Sequence, residues 1–166
     1  MKQTELQEIT LIGLSLPEKT TNENGQAQKD CGKLWERFQA EGCITKIPNK
    51  LDDEIYAVYH DYDGDFTQPY SYFIGCKVSP GTKVPEGLYQ LTIPKGEYRK
   101  ITTSGKMPEC IADAWREIWE KEEELNRGYI ADFEVYGKKD QNGEQAEIDI
   151  YLSTDSAKPF QSPNEV

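Results

Sequence analysis

The sequence predicts an α+β fold: two βαββ units in tandem, related by a pseudo-two-fold axis, sharing an antiparallel sheet with the helices on one face. Three observations predict it. Apolar residues alternate in several short runs and recur at helical spacing in two longer ones. The order strand, helix, strand, strand occurs twice. The two copies also match in detail, Leu34-Trp35 with Ala114-Trp115 and Val58-Tyr59 with Val135-Tyr136, at Trp-to-Val separations of 23 and 20 residues.

The first copy covers about residues 5–80. Ile9 to Pro17, ITLIGLSLP, reads as a strand. In QKDCGKLWERFQAEG, Cys31, Leu34, Trp35 and Phe38 fall at i, i+3, i+4 and i+7, one face of a short helix that Gly42 stops. DEIYAVYHDY and YSYFIGCKVS are strands around a polar loop. The DYDGD of that loop is a turn, because a calcium loop needs a glutamate at its twelfth position, where Tyr72 stands.

The second copy, about residues 86–155, follows the turn formers of PGTKVPEG. LYQLTIPKGEYRKITTSG gives a strand pair or one bent strand. PECIADAWREIWEKEEELN is a helix with Pro108 near its start. Ile111, Ala114, Trp115, Ile118 and Leu125 make its apolar face, and EKEEE its solvated one. ADFEVYG and AEIDIYLS close the copy. The chain thus reads as one domain over residues 1–156 with a tail at 157–166.

Charge and composition narrow the function. A net charge of −11 repels phosphate backbones, and no basic run offsets it, so the sequence argues against direct nucleic-acid binding. The N-terminal stretch lacks the basic and apolar regions of a signal peptide, and no apolar run approaches the ~20 residues of a membrane span. The expectation is a cytoplasmic protein. Cysteines 31, 43, 76 and 110 are scattered and read as reduced thiols. His60 is the only histidine, so neither a metal nor a cofactor is expected.

Strand alternation then raises the question of Glu134. Phe133 and Val135 share one face of their strand; Asp132, Glu134 and Tyr136 share the other. With Asn142-Gly143 as the centre of a two-residue hairpin, opposed positions sum to 285. Phe133 then meets Leu152, Val135 meets Ile150, Glu134 meets Tyr151 and Tyr136 meets Asp149. The helices need the Phe133/Val135 face, which leaves Glu134 on the far side with Tyr136 and Tyr151. The first copy has Tyr59 and Phe73 there, and Ala57 in place of the glutamate. A carboxylate so placed is either the wet side of a sheet or part of a site.

LIGLSL, Trp35, YSYFIGCKV, GLYQLTIPKGEYRKI, AWREIW and FEVY…EIDIYL, in this order, resemble the GyrI-like family. That family is the effector-binding domain also found at the C-terminus of AraC- and MerR-type multidrug-sensing regulators. The resemblance covers nearly the whole chain. It implies a ligand cleft on the face opposite the helices, with Glu134 at its base. It implies a stand-alone protein that binds lipophilic, cationic small organic molecules rather than an enzyme. The implied lining is Glu134, Tyr151, Tyr136, Tyr59 and Phe73 from the strands, with Trp35, Trp115 and Tyr89 from neighbouring elements. Both tryptophans fit equally well as core residues of their helices. The resemblance brings two alternatives. One is a hydrolase of reactive electrophiles, with Glu134 activating water and Tyr151 or Tyr136 donating a proton. The other is a protein-interaction module for a transcription regulator or gyrase.

Overall fold

A computed structural model describes residues 2–137 and 146–154. Strands β1 (Lys2–Leu6) and β2 (Ile9–Ser15) precede helix α1 (Gln26–Ala40) and the single turn α2 (Cys43–Lys46). Strands β3 (Ile55–His60) and β4 (Ser71–Lys77) complete the first half. The second half comprises β5 (Tyr89–Ile93), β6 (Gly96–Gly105), α3 (Glu109–Glu120), the turn α4 (Glu122–Leu125), β7 (Ala131–Tyr136) and β8 (Ala146–Ser153). Among the described residues no helix is long and apolar enough to cross a membrane.

The strands form one antiparallel sheet in the order β1-β6-β8-β7-β3-β4-β2-β5. That order is symmetric when β7 is set on β3, β8 on β4, β6 on β2 and β5 on β1. The ladders agree residue by residue. Ala57 pairs with Glu134 at the centre. Ile74 lies beside Ala57 as Ile150 lies beside Glu134, and Leu14 beside Ile74 as Ile101 beside Ile150. The pseudo-two-fold axis therefore passes through the Ala57–Glu134 pair. Each half lends its leading strand to the other, β1 to β6 and β5 to β2.

Two residues join β1 to β2, and two join β5 to β6, although the members of each pair lie near opposite ends of the strand order. Links that short require the sheet to roll until its ends approach. The concave face buries one cluster to which all eight strands contribute, including Leu11, Tyr56, Val58, Phe73, Ile93, Tyr98, Phe133 and Val135. Both helices lie on the convex face. Leu34 and Phe38 of α1 pack on Ile12, Leu14, Ile74 and Cys76. Trp115 and Ile118 of α3 pack on Ile150 and Leu152.

This arrangement keeps the expected α+β fold and corrects the placement of the helices within it. Among the described residues the Phe133/Val135 face meets no helix, because the rolled sheet closes on that face by itself. The helices and Glu134 share the other face. Only a flat sheet would leave one face for helices and one for water. The expected register also shifts by one residue: Phe133 pairs with Tyr151, Glu134 with Ile150, Val135 with Asp149 and Tyr136 with Ile148. Tyr151 thereby turns to the concave side, where its ring stacks on Phe133 at 4.8 Å and 14°. Ile148, Ile150 and Leu152 slide under the helices. Matching apolar face to apolar face was the wrong criterion, because both faces of β7 are buried, each against different elements, and the apolar face of β8 pairs with its Glu134 side. The Asn142–Gly143 turn and the 157–166 tail lie outside the described residues.

Close strand approach makes one glycine indispensable. A Cβ on Gly13 of β2 would stand 1.9 Å from the carbonyl oxygen of Ile74 in β4. Gly13→Ala should therefore force the ladder apart and destabilise the fold by about 2–3 kcal/mol. Gly32, in the middle of α1, has nothing within 4 Å of its Cβ position. Gly32→Ala should stabilise by about 0.5–1 kcal/mol through helix propensity alone. Urea denaturation of both variants checks the pair, and a neutral Gly13→Ala would contradict the β2–β4 crossing.

Candidate functional site

Helix α1 covers β2 and β4, while α3 covers β6. The central strands β3 and β7 remain uncovered between the helices, and they form the floor of a cleft of about 950 Å³. Alternation along these strands directs Tyr59, Glu134 and Tyr136 into it.

Glu134 is 1% exposed, yet it stands at the cleft floor. Its Oε2 accepts hydrogen bonds from Trp115 Nε1 at 2.6 Å and from the Tyr59 hydroxyl at 2.8 Å. Its Oε1 accepts one from the Tyr136 hydroxyl. Burial pushes the carboxyl above its ordinary range, and the three donors partly offset that push. Burial and the neighbouring carboxylate raise the Tyr59 and Tyr72 phenols well above their usual value, so both stay protonated. Aromatic rings surround the group. Tyr59 meets Trp115 edge-on at 5.2 Å and Trp35 meets Tyr136 edge-on at 5.1 Å. Trp35 donates its indole N–H to the Tyr72 hydroxyl at 2.8 Å. At the α3 end, Phe66 from the β3–β4 loop stacks on Trp119 at 5.4 Å and 8°.

A second carboxylate two residues along β7 provides an internal comparison. Asp132 is fully buried on the same face. Arg127 Nη2 donates to it at 2.7 Å, and the Ser153 backbone N–H at 2.8 Å, with the Tyr62 hydroxyl as a further donor. Arg127 also reaches Glu122 at 3.3 Å, and its guanidinium lies over the rings of Tyr129 and Trp115, at 4.4 and 5.7 Å from their centres. Asp132 is thus a neutralised structural acid. Glu134 has donors but, among the described residues, no cationic partner. No cluster of three metal-ligating side chains forms among those residues either.

Of the eight residues expected at the site, Glu134, Tyr136, Tyr59, Trp35 and Trp115 converge on the cleft. Three do not. Tyr151 and Phe73 belong to the concave cluster. Phe73 stands opposite Val58, so Tyr72, opposite Tyr59, takes the cleft position in its place. Tyr89 is 56% exposed on the edge strand β5, on the far side of β2. A Glu134–Tyr151 acid–base pair is ruled out by the same geometry, since the two side chains lie on opposite faces of the sheet. The alternation that separates Tyr72 from Phe73 was available in the sequence, as was Trp119, four residues after Trp115 on one helix face. Tyr62 and Phe66 sit in an aperiodic loop, and nothing local pairs Arg127 with Asp132.

Comparison with known proteins agrees with this architecture. The family model described as Cass2, integron-associated effector binding protein, matches residues 4–153. Protein YobU of Bacillus subtilis (strain 168), provisionally named a transcriptional regulator, is 24% identical over 122 residues, 72% of this chain and 76% of that protein. The structure of SAV2435 bound to tetraphenylphosphonium has a TM-score of 0.74 at 20% identity, covering 91% of each chain. The integron cassette protein VCH_CASS2, from the mobile metagenome of Vibrio cholerae, has a TM-score of 0.70 at 21% identity, covering 92% of this chain and 94% of that one. The solved relatives share the fold, that of a GyrI-like effector-binding domain. With the family model matched from residue 4 to residue 153, the chain belongs to the Cass2 family of integron-associated effector-binding proteins.

Proposed function

We propose that the cleft binds lipophilic organic cations and that Glu134 is their counter-charge. The contrast between Asp132 and Glu134 carries the reading. Two buried carboxylates lie side by side on β7, and the fold supplies an arginine to one of them only. A desolvated carboxylate without a cation is costly, and an incoming cation removes that cost. At 4 Å and an effective dielectric of 20 the attraction is on the order of 4 kcal/mol. Aromatic faces add about 0.5–2 kcal/mol each through cation–π contact. The tetraphenylphosphonium held by SAV2435, a permanent cation wrapped in phenyl rings, has the chemistry this reading calls for. Turnover has less support: the expected Tyr151 donor lies on the other face, and the Tyr59 and Tyr136 hydroxyls are already donors to Glu134.

Tryptophan fluorescence titration with tetraphenylphosphonium, and with triphenylphosphine oxide as a neutral aryl analogue, tests the assignment. Glu134→Gln preserves shape and removes the charge. The variant should bind the cation about ten- to a hundred-fold more weakly and the neutral compound within about twofold of wild type. An unchanged preference for the cation over the neutral compound in Glu134→Gln would remove Glu134 from the site.

Stability separates the two carboxylates. Because the folded protein raises the Glu134 pKa, the neutral acid is favoured at low pH and that contribution is lost as the pH rises through the folded value. At neutral pH Glu134→Gln should thus be neutral or stabilising. Asp132→Asn leaves the Arg127 guanidinium, whose side chain is 2% exposed, with only the more exposed Glu122 as a counter-charge among the described residues, and should cost about 3 kcal/mol. Equal costs in urea denaturation would contradict the distinction drawn between them.

A further inference from the structure

We propose that the cleft selects cations whose charge lies at the middle of the molecule, between two aromatic arms, over cations charged at one end. The inference rests on the cation-binding reading and narrows its ligand class. The pseudo-two-fold axis runs through the Ala57–Glu134 pair, so the unneutralised carboxylate stands beside the axis, between the two sides of the cleft. The two ring pairs beside it are symmetry mates. Tyr59 with Trp115 stands at 5.2 Å and 65°, and Tyr136 with Trp35 at 5.1 Å and 77°. Each pair takes its tyrosine from one half of the chain and its tryptophan from the other. The carboxylate joins them, with Oε2 bound by the tyrosine of the first pair and Oε1 by that of the second.

A charge seated at Glu134 therefore has an aromatic pair on both sides. A ligand with its charge in the middle places one arm against each pair, whereas a ligand charged at its end reaches only one. A single charge is matched because the symmetry mate of Glu134 is Ala57, which offers no second carboxylate. On the Trp115 side, Arg127 already occupies the indole from 5.7 Å, so a second positive group on that arm would meet a guanidinium.

Two isomers of one composition make the test. Dibenzyldimethylammonium carries its charge between two phenyl rings, and trimethyl(4-phenylbenzyl)ammonium carries it at the end of a biphenyl. Both are permanently charged, so pH does not confuse the comparison. Calorimetric titration of the wild-type chain should show the central isomer binding at least about tenfold more tightly, the worth of one lost set of ring contacts. Equal affinities, or a tighter terminal isomer, overturn the proposal. Glu134→Gln separates the two levels of the argument. If that variant weakens both isomers while wild type shows no preference between them, the cation site stands and its central-charge selectivity falls. If it weakens neither, the cation site itself falls and takes the selectivity with it.

Discussion

Two links of two residues each, Leu6 to Ile9 and Ile93 to Gly96, govern the rest of the structure. Each crosses between the two ends of an eight-stranded order, and a flat sheet would hold those ends several strand spacings apart, at about 4.8 Å per strand. The sheet must roll, and rolling turns its concave face into a core to which every strand contributes. The helices are then not needed to bury that face. They settle on the convex side, one over each half, and leave the central strands bare between them. The cleft is the gap that this division leaves.

Duplication makes the centre of the cleft nearly symmetric, and the residue pair on the axis breaks the symmetry there. Ala57 and Glu134 face each other across β3 and β7 on the axis. A carboxylate on both would set two buried like charges side by side, each raising the other's pKa. A single one is held by donors contributed from both halves: Tyr59 from the first, Trp115 and Tyr136 from the second. Arg127 and Asp132 show that the same strand can bury a carboxylate fully compensated. Among the described residues Glu134 has no such compensation, and the proposed affinity for positive charge rests on that difference.

Much of this was legible in the residues. The βαββ repeat, the equivalence of Trp35 with Trp115 and of Ala57 with Glu134, and the convergence of five residues on one cleft follow from periodicity and from the family resemblance. The face of Glu134 did not. Alternation says that Phe133 and Glu134 point in opposite directions; it does not say which direction holds the helices, and that depends on curvature set by links far away in sequence. Register failed for a related reason. With both faces of β7 buried, Phe133 and Glu134 each lie in a packed layer, so the burial of β7 did not choose which of them pairs with the apolar face of β8. Tyr151 was misplaced by the register of β8, and Phe73 by the phase of β4 against β3, where Tyr72 pairs with Tyr59. Arg127 was missed because its pairing with Asp132 depends on how the segment between α4 and β7 folds back, which no local pattern records.

The central claim is that Glu134 is a desolvated carboxylate awaiting a cation. Its most direct test is the titration of the Glu134 side-chain carboxyl by carbon-13 NMR in selectively labelled protein, free and with tetraphenylphosphonium. In the free protein burial should hold the pKa above the ordinary glutamate value of about 4.3. Bound cation favours the ionised form, so saturation should lower that pKa, and by the same linkage affinity should fall as the pH drops through the free-state value. A Glu134 that titrates at the ordinary value in the free protein, or whose pKa does not move when the cation binds, would contradict the account.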